Sequence, residues 1–147
     1  MTAHLAIETW SSLRPDELMD RSLNIDLHVS SMAESDERAV AGVISGAIAL
    51  NEEVSWRARH FGVWWTMTSR ITALEPGRRF VDEQVRGPFK RFRHEHLFES
   101  VGGRTRMLDR IDFDAPFGPI GVLAERLVLR RYLAVLIKVR NEHLVQG

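Results

Sequence analysis

The chain contains no cysteine, which excludes disulfides, thiolate metal sites and cysteine nucleophiles. It has no excess of either charge, since 20 Lys and Arg balance 20 Asp and Glu. Without a net field to concentrate a polyanion, neither nucleic acid nor an anionic membrane surface is an expected partner. Long apolar runs are also missing. The most apolar stretch, RLVLRRYLAVLIKVR at 126–140, is broken by Arg and Lys well before the roughly 18 residues that a membrane span requires. The start MTAHLAIETW has neither the basic region nor the apolar region of a secretory signal, so the expected location is the cytoplasm.

What is present is ordinary globular material. Hydrophobic residues make up 44% and charged residues 27% of 147 positions, far from the composition of disordered chains. A chain of this size buries roughly 68–70% of its unfolded surface around one core. One domain over residues 1–147 is expected.

Residues 4–11 alternate, with Leu5, Ile7 and Thr9 opposite His4, Ala6 and Glu8, as a first strand would. Pro15 followed by Asp16 and Glu17 fixes the first turn of a short helix. Asn24 can cap a second one, which the polar SMAESDER stretch ends. From Glu37 to Asp114, Gly, Pro and Asn recur at short intervals, as in an antiparallel meander. Strands are expected near 37–41, 47–50, 53–61, 63–74, 79–86, 89–99 and 104–114. Beyond Pro119 nothing breaks a helix, so one long helix should run from about Ile120 to Leu144. On its helical wheel Val128, Leu129, Tyr132, Val135, Leu136 and Val139 share a face expected to cover the sheet. Ile120, Leu123 and Leu127 point elsewhere, toward a loop or a second copy of the chain in a homodimer. The fold class is therefore α+β.

Alternate residues of a strand point to opposite faces, and splitting the last three strands by parity separates two chemistries. One face carries Arg79, Val81, Glu83, Val85, Arg91, Arg93, Glu95, Glu99, Arg104, Arg106, Arg110 and Asp112, a solvated face of mixed sign. The other carries Phe80, Asp82, Gln84, Arg86, Phe92, His94, His96, Phe98, Thr105, Met107, Asp109, Ile111 and Phe113. Trp56, His60, Trp65, Met67 and Ser69 extend that second face into the earlier strands. Apolar walls with a few polar groups describe a small-molecule pocket, because buried polar groups need partners.

The segments RAVAG, VSWRARHFG, RRFVDEQVRGPFKRFRHEHLFE, DRIDFDAPFG and LAERLVLRRYL together resemble the START-like superfamily of polyketide cyclases/dehydrases and lipid-transport proteins, SRPBCC. The likeness spans nearly the whole chain and is greatest to a bacterial branch of single-domain proteins. It implies a helix-grip fold: a first strand, two short helices, a curved antiparallel sheet and a long C-terminal helix around a deep cavity. The superfamily holds carriers, receptors and cyclases, so the likeness leaves the activity open.

On this reading the ligand is an apolar, aromatic or lipid-like small molecule. Its expected contacts are Trp56, His60, Trp65, Met67, Asp82, Gln84, Phe92, His94, His96, Phe98, Met107, Asp109 and Phe113. Asp82, His94, His96 and Asp109 form the polar end, which either orients the ligand or serves acid/base chemistry in a cyclisation or dehydration. A protein-interaction module using the start of the long helix is a third alternative. His-x-His spacing on a strand can ligate a metal, but with no second spaced pair neither a metal nor another cofactor is expected.

Overall fold

A computed structural model describes residues 2–115 and 122–145, excluding the side chains of residue 34 and of 122–126. Strand β1 (Ala3–Ser11) is followed by helices α1 (Pro15–Ser22) and α2 (Ile25–Ser31). Six further strands follow: β2 (Arg38–Gly42), β3 (Glu53–His60), β4 (Val63–Glu75), β5 (Arg79–Arg86), β6 (Arg91–Val101) and β7 (Arg104–Asp114). Helix α3 (Val122–Val145) closes the chain. As expected from their starts, α1 has Pro15 in its first turn, and the Asn24 side chain caps α2 by accepting from the Leu27 N–H at 3.0 Å.

The strands form one antiparallel sheet in the order β1-β7-β6-β5-β4-β3-β2. The two short helices carry the chain from one edge of that sheet to the other. Register shifts at Ala39/Ala41, Thr68/Ser69 and Ile71/Ala73 add the local twist that bends a sheet. The concave face so formed looks toward α3. At Gly42, φ is +73° and an added Cβ would lie 2.2 Å from the Glu53 carbonyl oxygen, so the β2–β3 approach requires glycine.

Two expectations about these elements are corrected. Residues 47–50 form no strand; Ala47 makes only an isolated bridge to Asn24. Left-handed backbone at Gly46 and Asn51 interrupts extension on both sides, and the segment docks on the helices through Ile25 N–H to Gly46 O at 2.8 Å and Ile48 N–H to Leu23 O at 3.1 Å. The second correction is to half of the packed face of α3, since Leu129, Tyr132 and Leu136 are partly buried as expected but the three valines are not. Val128, Val135 and Val139 are exposed, Val135 to 60%, whereas Leu129, Leu133, Ile137, Arg140, Asn141 and Leu144 are wholly or partly buried. That stripe includes an arginine and an asparagine, which a search for apolar spacing passes over. Leu127 is exposed; Ile120 and the Leu123 side chain lie outside the described residues.

Parity holds in β6 and β7, and in β5 for Phe80 but not for Arg86, which is exposed. Phe80, Phe92, Phe98, Met107, Ile111 and Phe113 are buried, while the convex face carries pairs such as Arg106–Glu8 at 2.7 Å and Arg79–Glu95 at 3.1 Å. Val81, placed by parity on that outer face, is nevertheless buried. One apolar cluster packs α1 and α2 on the sheet through Leu18, Met19, Leu23, Ile48, Phe80 and Met107. A second packs α3 through Ile7, Phe92, Ile111, Phe113 and Ile137. No helix among the described residues is long and apolar enough to cross a membrane.

Candidate functional site

Between the concave face of the sheet and α3 lies a cavity of about 500 Å³. Its walls come from Trp56 and Ala58 on β3, Trp65, Met67 and Ile71 on β4, Phe80 on β5, Phe92 on β6, and Leu129, Leu133, Leu136 and Ile137 on α3. The volume is within the range of small-molecule sites. Phe61 and Val128 line it and are also exposed, Phe61 to 58%, so the cavity opens between the β3–β4 turn and the first half of α3. His94, His96 and Arg140 line it too but are buried, marking its deep end.

At that end the register sets Asp82 opposite His94 and His96 opposite Asp109. The hydrogen bonds then run diagonally. His94 Nε2 meets Asp109 Oδ1 at 2.7 Å, and His96 Nε2 meets Asp82 Oδ2 at 2.7 Å. An ionised carboxylate can only accept, so each Nε2 is the protonated nitrogen and donates. The two imidazoles stack with centroids 3.7 Å apart, and Phe80 stacks on His96 at 3.9 Å. His96 Nδ1 has no hydrogen-bond partner and lies 3.4 Å from Asp109 Oδ1.

Asp109 is 0% exposed and joins its own strand to three other elements. Its Oδ1 accepts from Arg140 Nη2 at 2.8 Å as well as from His94, and its Oδ2 accepts from Asn141 Nδ2 at 2.7 Å. Asn141 also donates to Thr9 Oγ1 at 3.0 Å, so α3, β1, β6 and β7 meet at this carboxylate. Burial pushes Asp109 up, but the Arg140 charge, the hydrogen bond from His94 and the nearby His96 outweigh it and hold the group well below the usual carboxylate range. Asp82, whose side chain keeps 22% exposure, is likewise pushed up by burial and brought below its ordinary value by His96, His94 and Arg140. His94 is pushed down to about 4, first by burial and then by the neighbouring His96, against the pull of Asp109.

Of the residues anticipated as ligand contacts, Trp56, His60, Trp65, Met67, Asp82, Phe92, His94 and His96 line the cavity. Gln84, Phe98, Met107, Asp109 and Phe113 are not among its lining residues. The Gln84 amide turns away to clamp the β5–β6 turn, donating to Phe89 O at 2.7 Å and accepting from Phe89 N–H at 3.2 Å. Phe98 and Met107 pack in the core under α1 and α2, Phe113 packs against Phe89 with ring centroids 5.7 Å apart, and Asp109 stands behind Arg140. Arg140, His28 and Glu37 line the cavity without having been singled out in the sequence. Their signal was absent there, since Arg140 interrupts an apolar helix and Glu37 lies within a polar stretch.

Asp82, His94 and His96 place three donor atoms within 4.8 Å of one another, the types and number that an open metal site uses. Both Nε2 atoms are already bonded to carboxylates, so an ion drawing on all three side chains would have to displace a proton or recruit the Nδ1 atoms.

The family model described as polyketide cyclase / dehydrase and lipid transport matches residues 19–137. Among solved structures, TTHA0849 from Thermus thermophilus is similar with a TM-score of 0.72 at 16% identity, over 97% of each chain. The Zhui aromatase/cyclase from Streptomyces sp. R1128 gives 0.69 at 18% identity, over 97% of this chain and 94% of that one. The di-domain aromatase/cyclase StfQ of the steffimycin biosynthetic pathway gives 0.78 at 13% identity, over 99% of this chain and 50% of that one. No curated protein matches the chain significantly.

Proposed function

Because the chain belongs to the polyketide cyclase/dehydrase and lipid transport family and has its helix-grip fold, we propose that it binds and carries an apolar small molecule, aromatic or lipid-like, inside the cavity. The observation that carries this reading is an apolar-walled space of about 500 Å³ with Asp82, His94 and His96 at its closed end. An ionised Asp82 beside a neutral His94 favours a ligand end that donates a hydrogen, such as a hydroxyl, and disfavours a carboxylate.

Retinol and retinoic acid, which differ only at that end, test this by quenching of tryptophan fluorescence, since Trp56 and Trp65 line the cavity. Retinol should bind more tightly by about tenfold or more, and Asp82→Asn should narrow the gap by admitting the acid. Failure of both compounds to bind, with Trp56 and Trp65 unperturbed, sinks the reading.

The clustering of His94, His96, Asp82 and Asp109 favours a second reading, a cyclase or dehydratase. Efficient proton transfer wants groups poised near the working pH. His94 at about 4 and Asp82 below its ordinary value are both weak bases, so the cluster is better suited to orienting a ligand. If it does catalyse, His96→Ala should lower turnover of a polyketide thioester by roughly 10² to 10⁴ with little change in affinity. The binding reading expects the reverse pattern.

A further inference from the structure

A second polar group lines the cavity away from the His94–His96 cluster, near its mouth. Glu37, at the entry to β2, lines the cavity with a side chain only 9% exposed, and its Oε2 has no hydrogen-bond partner. His28 Nε2 approaches that oxygen to 3.3 Å without forming a hydrogen bond, while its ring lies over Trp56 with centroids 4.2 Å apart. Nearby, His60 Nδ1 and the Tyr132 hydroxyl are bonded at 2.6 Å, and both feel the charge of Glu37. Phe61, held at φ 54° in the β3–β4 turn, sets its ring against Tyr132 at 4.5 Å.

A buried carboxylate short of donors is costly, and Glu37 lines a space large enough for a ligand. His60 and Tyr132 bond each other, and neither forms a hydrogen bond with this oxygen. The partner that completes the site must therefore bring its own hydrogen. The surrounding Trp56, Phe61 and Tyr132 rings make a flat aromatic group a suitable carrier for that donor.

Resting on the reading that the cavity binds small molecules, we propose that Glu37 is a second recognition point, which accepts a hydrogen from a hydroxyl-bearing aromatic end of the ligand at the cavity mouth. The ligand is then polar at both ends and apolar between them. Tyr132 at the mouth and Arg140 at the closed end are eight residues apart on α3, which puts these helix anchors about 12 Å apart along the axis. A rigid molecule of two linked rings with a hydroxyl at each extremity matches this description, whereas a simple fatty acid does not.

Three stilbenes, carrying no hydroxyl, one terminal hydroxyl, or one at each end, test the proposal by tryptophan quenching. In the natural protein each added hydroxyl should strengthen binding, the second by about tenfold. Glu37→Leu should abolish the gain from the second hydroxyl while plain stilbene still binds. Glu37→Gln, nearly isosteric but uncharged, should shrink that gain, and it covers the case in which the leucine variant does not fold. An unchanged tenfold step in both variants, or in Glu37→Gln alone if Glu37→Leu is unfolded, overturns the role of Glu37 while the pocket reading stands. Plain stilbene binding with no gain from either hydroxyl also overturns the inference alone. No binding of any of the three overturns the pocket reading and this inference with it.

Discussion

His94 is the residue whose environment is most at odds with its ordinary chemistry. Its ordinary value of 6.5 falls to about 4, so the folded protein holds it neutral where the unfolded chain protonates it. Between those values the unfolded state binds more protons, and stability rises with pH across that window. The contribution is complete above about 6.5 and is lost as pH falls through about 4, on the order of 3 kcal/mol in all. His60, lowered by burial, acts in the same direction. Asp82 and Asp109, both lowered, add losses only at more acid pH, below the ordinary carboxylate value. Urea unfolding at pH 7 and pH 4.5 should therefore show marked acid destabilisation, and His94→Gln should flatten the difference. An equal pH response in both proteins would show that His94 is not held neutral by the fold.

Among the elements, α3 is tied to the sheet as much by charge as by apolar contact. Arg140 and Asn141 project from it onto Asp109, which is fully buried. Arg140→Met leaves that carboxylate without its counter-charge and should cost about 3–5 kcal/mol. Asp109→Asn strands the buried guanidinium in the same way, so the double variant should cost less than the sum of the two. Strict additivity in denaturant midpoints would contradict a coupled pair. The same anchor explains what could be read from the sequence and what could not. Alternation in β5, β6 and β7 puts Asp82, His94, His96 and Asp109 on one face because strand geometry leaves a side chain only two directions. It does not tell which carboxylate each imidazole bonds, and the crossed pairing follows from register. On α3 the apolar criterion selected six residues, of which Leu129, Tyr132 and Leu136 line the cavity while Val128, Val135 and Val139 are exposed; it missed Arg140 because a buried arginine paired through long-range contacts has no local signature. The extended reading of 47–50 failed for a related reason: its residues suit a strand, but the left-handed Gly46 and Asn51 send the segment to the helices.

For the molecule as a whole the cavity is an energetic problem as well as a site. A space of about 500 Å³ with apolar walls forgoes the packing contacts that a filled core would make, so a molecule that fills it should stabilise the fold. A bound probe at about 100 times its Kd should add about 2.7 kcal/mol, and for a chain of this size that raises Tm by roughly 8 °C. Ala58 lines the cavity and is buried, so Ala58→Phe projects a ring into the same volume. If the space exists to receive a ligand, this variant should melt at or above the natural protein's temperature and show no further rise with retinol, because its own ring occupies the room. A variant that melts lower yet keeps the full retinol shift would mean that the probe binds elsewhere, and that the walls of this cavity are closed packing and not a receptacle.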